Sequence, residues 1–143
     1  MKRFALATAF VLTAGLAQAA GQPGLHFVEN WDLDSDGQVT LAEATERRGD
    51  IFTTFDADEN GVLSAVEYAD FDAARAADME GQQGHGNGNM KRADGGMALA
   101  FNDLDGDGQV SREEFLSRVP AWFAQMDRSG DGVITTMDFG RKG

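Results

Sequence analysis

The stretch DLDSDGQVTLAE, Asp32 to Glu43, decides the fold, because three further stretches repeat its frame. They are DADENGVLSAVE from Asp56 to Glu67, DLDGDGQVSREE from Asp103 to Glu114 and DRSGDGVITTMD from Asp127 to Asp138. Each puts oxygen-bearing side chains at positions 1, 3, 5, 9 and 12 of a twelve-residue frame, with glycine at position 6. A hard cation such as Ca²⁺ takes roughly six to eight oxygens, and this spacing supplies them, with a backbone carbonyl at position 7 and the glycine allowing a sharp turn. Four copies make coincidence a poor explanation.

Roles follow position by position. In the first loop Asp32, Asp34 and Asp36 offer carboxylates, Gln38 its carbonyl and Thr40 a water-mediated contact, and Glu43 closes the site with both oxygens. The third repeats this with Asp103, Asp105, Asp107, Gln109, Ser111 and Glu114. In the second, Asp56, Asp58, Val62, Ser64 and Glu67 keep the pattern, while Asn60 removes a charge but no ligand oxygen. The fourth has Asp127, Ser129, Asp131, Val133 and Thr135, but ends on Asp138, one methylene shorter than Glu. One-oxygen closure there suits octahedral Mg²⁺ better than Ca²⁺. Arg128 beside these ligands adds a repulsion, so the fourth loop is expected to hold Ca²⁺ least well.

The chain has 143 residues, no cysteine and a formal charge of −12. Met1-Lys2-Arg3, the apolar run Phe4 to Leu16 and Ala17-Gln18-Ala19 read as a cleavable export signal over residues 1–19, giving a periplasmic or secreted protein starting at Ala20. The thirteen apolar residues fall short of the roughly 18 that span a bilayer, so a membrane anchor is the lesser reading. Losing Lys2 and Arg3 takes the charge to −14, which repels nucleic acid and anionic lipid and attracts cations. Without disulfides, bound metal is the available device for stabilising a small core.

Asp32 to Asp56 and Asp103 to Asp127 are both 24 residues, whereas Asp56 to Asp103 is 47, so the loops fall into two pairs. Residues 20–79 form the expected N-terminal pair and 98–143 the C-terminal pair. Residues 80–97, EGQQGHGNGNMKRADGGM, read as a flexible linker. Position 8 carries Val39, Leu63, Val110 and Ile134, suited to short antiparallel contacts between loops. Phe27, Val28, Trp31, Phe52, Phe55, Tyr68, Phe71, Phe115, Trp122, Phe123, Met126 and Phe139 flank the loops at helical spacing and are expected in the core. The third loop departs, with Asn102 where an apolar residue is expected and Phe101 one place earlier.

On these loops the chain resembles the EF-hand superfamily, with the four-loop plan of calmodulin-like proteins. The resemblance implies an all-α fold of helix–loop–helix units, Ca²⁺ as the ligand and, in sensors of that kind, an apolar groove for a protein partner. One departure concerns the spacers: only twelve residues separate the loops within a pair, Ala44 to Phe55 and Phe115 to Met126. Secreted bacterial EF-hand proteins of the lanmodulin kind are closer in spacing, but their proline at position 2 and acid at position 9 are missing here. An unbroken spacer helix of about 18 Å would hold its two loops apart and prevent their pairing. Gly49-Asp50 and Pro120 read instead as helix breaks, so two very short helices with a tight turn are expected in each spacer.

The resulting expectation is an exported, non-enzymatic protein binding up to four cations, chiefly Ca²⁺, as a buffer or structural site with folding coupled to metal. The alternatives are a Ca²⁺ sensor with a protein partner and a lanthanide binder. Soft Cu(I) ligation by Met79, His85, Met90 and Met97 is a further, minor reading. No serine, histidine and acid grouping points to catalysis, because every clustered carboxylate already has a place in a loop.

Overall fold

A computed structural model describes residues 22–81 and 88–140. The expected export signal and His85 lie outside the described residues. The chain is helical as expected: α1 (Leu25–Trp31), α2 (Leu41–Phe55), α3 (Ala65–Gly81), α4 (Gly88–Gly95), α5 (Leu99–Asn102), α6 (Arg112–Ser117) and α7 (Val119–Met126), then a 3₁₀ turn at Thr136–Phe139. Two short strands, β1 (Val62–Leu63) and β2 (Val110–Ser111), complete it. No described helix is long and apolar enough to cross a membrane.

The first spacer corrects the expected break. α2 runs unbroken for 15 residues, about 22 Å, from a capping box formed by Thr40 and Glu43 to Asp56. Gly49 does not stop it, because this glycine serves a close approach. A Cβ there would lie 3.0 Å from Arg112 Nη2, and Arg112 Nη1 donates to Thr53 Oγ1 at 3.1 Å. The second spacer does break: α6 ends at Ser117, Arg118 intervenes, and Pro120 sits in the first turn of α7. Even so, Arg118 keeps right-handed backbone angles (φ −84°, ψ −8°) and its carbonyl accepts from Trp122 N at 3.0 Å. The two helices therefore continue one another rather than folding back in a hairpin.

With rigid spacers, neighbouring loops cannot meet, and the pairing crosses the expected division between residues 20–79 and 98–143. The first loop bridges the fourth through Val39 and Ile134, whose N–H groups donate reciprocally to each other's carbonyls at 2.8 and 2.9 Å. The second pairs with the third, Val62 opposite Ser111 and Leu63 opposite Val110. All four position-8 side chains are fully buried. Under the first bridge, Phe27 stacks on Trp31, Trp31 meets Trp122 at 4.8 Å between ring centroids, and Phe139 closes on Phe27 at 5.2 Å. Under the second, Phe52 and Phe71 pack on Phe115 at 5.8 and 6.1 Å, with Phe55 and Tyr68 against Phe71. Such ring pairs add to the area they bury.

The linker expectation is also corrected over residues 88–97. α4 packs on α7, burying Met90, Ala93 and Met97 with the rest of the core. Composition misled here because the glycines permit contact rather than flexibility. A Cβ on Gly96 would lie 1.8 Å from Trp122 Cδ1, and Trp122 Nε1 donates to Ala93 O at 3.2 Å. Gly96→Ala is therefore expected to destabilise the protein by at least about 2 kcal/mol through overpacking. Urea unfolding followed by tryptophan fluorescence measures it, and an unchanged midpoint would contradict the close packing.

Candidate metal centre

The four stretches fold as the same turn, organised around the first carboxylate. Asp32, Asp56, Asp103 and Asp127 each accept, at Oδ2, the amide of the position-6 glycine, at 2.7, 2.9, 3.0 and 2.8 Å. Those glycines hold φ of +80° to +90°, where a side chain is strained. Position 4 is left-handed too. Gly106 and Gly130 fill it in two loops, whereas Ser35 (φ +62°) and Glu59 (φ +56°) accept the strain in the others. Sequence reasoning missed this second turn position; its signal was the glycine at position 4 of the third and fourth loops.

Position 5 carboxylates or amides cap the next turn. Asp36, Asn60, Asp107 and Asp131 accept from the amides of Gln38, Val62, Gln109 and Val133, at 2.9, 2.9, 2.8 and 3.1 Å. At position 9, Thr40, Ser64 and Ser111 accept from the closing residue's amide, and Thr135 accepts from Met137 N. These hydroxyls therefore start the exiting helices.

The closing carboxylate spans each loop. Glu43 accepts from Leu33 and Thr40 amides at 2.9 and 2.8 Å, Glu67 from Ala57 and Ser64 at 2.8 and 2.9 Å, and Glu114 from Leu104 and Ser111 at 3.2 and 2.8 Å. Asp138 does the same with Arg128 and Thr135, both at 2.8 Å. Its shorter side chain reaches because the exit is a tight 3₁₀ turn, and it is 2% exposed against 9% for Glu43. Arg128 Nη1 donates to the backbone carbonyls of Asp138 and Gly140 at 3.1 and 3.0 Å, at the exit of the loop.

Three of the loops gather carboxylates closely enough for one ion. The oxygens of Asp32, Asp34 and Asp36, of Asp56, Asp58 and Glu67, and of Asp103, Asp105 and Glu114 lie within 4.8 Å of one another. Among the described residues the fourth loop forms no such group of three. Crowding shows in the titration of the clusters. Burial, with the Asp36 and Glu43 charges, pushes the Asp34 carboxyl up. At Asp105 the Asp107 amide pulls the carboxyl down, but burial and the charges of Asp107 and Glu114 win and raise it. A divalent cation removes that repulsion, and the donor set is all oxygen, as Ca²⁺ requires. The methionines singled out as soft ligands lie elsewhere: Met79, Met90 and Met97 line an apolar cleft beside Trp31 and Trp122.

The capping carboxylates set a pH dependence. The Thr40 amide holds Glu43 below the ordinary carboxylate range against opposing burial, and the Ser64 amide and hydroxyl do the same for Glu67. A folded pKa below the unfolded value gives stability that is present above the unfolded value and lost as pH falls through the folded one. In chelator, Glu43→Gln and Glu67→Gln should each lower the urea midpoint near neutral pH, and the deficit should shrink below about pH 4. A deficit independent of pH would refute the capping role.

Residues 101–119 and 121–141, the third and fourth loops with their flanking helices, match the EF hand family model. No curated protein matches the chain. The matched segments are two of the four turns that share one hydrogen-bond frame, and the match supports the EF-hand calcium-binding superfamily for this part of the chain.

Proposed function

We propose that the protein is an exported calcium-binding protein with four EF-hand loops, acting as a buffer or structural binder whose folding tightens on metal. The observation that carries this is the shared frame: four turns with one hydrogen-bond pattern, three of them gathering carboxylates within 4.8 Å. The ligands are those assigned above, Asp32 to Glu43, Asp56 to Glu67, Asp103 to Glu114 and Asp127 to Asp138, with Ca²⁺ at the first three sites. Asp138 is one methylene shorter than Glu and, among the described residues, the fourth loop gathers no group of three carboxylates, so the fourth site is the weakest and the one where Mg²⁺ competes. Export rests on the Lys2-Arg3 and Phe4 to Leu16 pattern with its Ala17-Gln18-Ala19 site. A non-enzymatic role rests on the engagement of the clustered carboxylates in the loop frames.

A sensor is the second reading, favoured by one feature. A cleft of about 310 Å³ between α1, α2, α3 and α4 exposes the half-buried faces of Trp31, Ile51, Phe55 and Met79. A sensor changes the exposure of such a surface on binding Ca²⁺, and a buffer does not. The lanthanide reading has less support, because position 9 carries Thr40, Ser64, Ser111 and Thr135 rather than an acid.

Calorimetric titration of metal-free protein from Ala20 to Gly143 with Ca²⁺, repeated over excess Mg²⁺ and paired with circular dichroism, tests the proposal. Three or four ions bound with a gain in helix are expected, and the absence of heat and of any spectral change would sink it. An apolar dye added to the same samples separates the two roles: a calcium-dependent rise in its fluorescence favours the sensor. The strand pairing makes a sharper prediction. Glu114→Gln in the third loop should weaken the second loop, its strand partner, more than the fourth, its sequence neighbour. Equal effects on both would contradict coupling through the paired strands.

A further inference from the structure

Arg48, in the middle of α2, is fully buried with no carboxylate within ion-pair distance among the described residues. Burying a guanidinium without an anion is costly, so its surroundings must supply the compensation. They do so with oxygens and rings. Nη1 donates to Gly96 O at 3.0 Å, and Nη2 donates to Asn102 Oδ1 at 2.7 Å and to Phe115 O at 3.1 Å. The guanidinium lies over the Phe115 ring at 4.1 Å and faces Trp122 at 5.3 Å.

Two of those acceptors bracket a metal loop. Asn102 directly precedes Asp103, the first ligand of the third loop, and Phe115 directly follows Glu114, its last. One nitrogen, Nη2, thus holds the entrance and the exit of the same loop. Asn102 is itself fully buried and carries the network onward, its Nδ2 donating to Tyr68 Oη at 3.1 Å, to Gly96 O at 3.2 Å and to Ala98 O at 3.0 Å. Tyr68 follows Glu67, the closing residue of the second loop, and donates to Met97 O. The unexpected Asn102 is explained: an apolar residue there would leave the buried cation short of an acceptor.

We infer that Arg48 is the positioning residue of the third calcium loop, setting its affinity by clamping both of its ends to α2 and, through Asn102 and Tyr68, tying it to the second loop. The inference rests on the calcium-binding reading above. Its mechanism is preorganisation. A site whose ends are already held at binding distance spends less ordering free energy when the ion arrives, and outer-shell groups of this kind change metal affinity by roughly tenfold to a hundredfold when removed. Lysine is a poor replacement, since one ammonium lacks the planar fork that reaches three separate oxygens.

The position-6 glycine amides give one reporter per loop, because each donates to the first carboxylate of its own site. In a Ca²⁺ titration of the ¹⁵N-labelled protein, the midpoints at Gly37, Gly61, Gly108 and Gly132 read the four loops separately. Arg48→Met, which keeps the side-chain bulk, should raise the Gly108 midpoint roughly tenfold to a hundredfold. A smaller rise is expected at Gly61, with Gly37 and Gly132 nearly unmoved, and Arg48→Lys should resemble Arg48→Met. An equal rise at all four would mean that Arg48 supports only the core, and no rise at Gly108 would mean that it does not position the loop; either overturns the inference. Should Arg48→Met not fold, Asn102→Leu, which removes the Oδ1 acceptor of Arg48 together with the Nδ2 link to Tyr68, is read by the same criteria. Calcium-insensitive amides in the unsubstituted protein would instead overturn the calcium-binding reading itself.

Discussion

The arrangement depends on the stiffness of α2. A helix of 15 residues carries Glu43 in its first turn and delivers Asp56 at its end, so the first and second loops are held at opposite ends of a rod. Each must find its strand partner elsewhere, and the kinked rod of α6 and α7 presents the third and fourth loops in the matching order. Two rods laid side by side bring the first loop to the fourth and the second to the third, and the helix-to-helix contacts of α2 with α6 and α7 follow from that. The core is therefore common to both halves of the chain.

Two consequences concern metal. The closing carboxylates act twice: without an ion they cap helices, and their remaining lone pairs are the ones a cation would use. The loops can thus keep their shape while retaining a repulsion at Asp34 and Asp105 that a bound cation would relieve. Strand pairing then links sites far apart in sequence. Arg48 adds a second link at the centre of α2, where the same rod that separates loops also touches the frame of a third.

Much of the centre was legible in the residues. The twelve-residue frame, the glycine at position 6 and the buried position-8 residues are local requirements, and each stretch carries its own instructions. The aromatic residues flanking the loops were readable as core because their helical spacing leaves one face apolar. Asn102 was visible only as an anomaly, since its partner Arg48 lies 54 residues away and nothing in the intervening chain marks the contact.

The sequence by itself determined the turns, because a left-handed glycine and carboxylates two residues apart dictate hydrogen bonds within a few residues. It also determined the helical class, since apolar periodicity and capping boxes are read from neighbours. Tertiary structure alone decided which loops pair, because that depends on whether Gly49 ends a helix or admits Arg112 against it. It likewise decided that residues 88–97 join the core, where Gly96 makes room for Trp122. In both cases a glycine that could serve as a hinge serves as a contact, and only the neighbour brought against it by the distant chain tells the two uses apart.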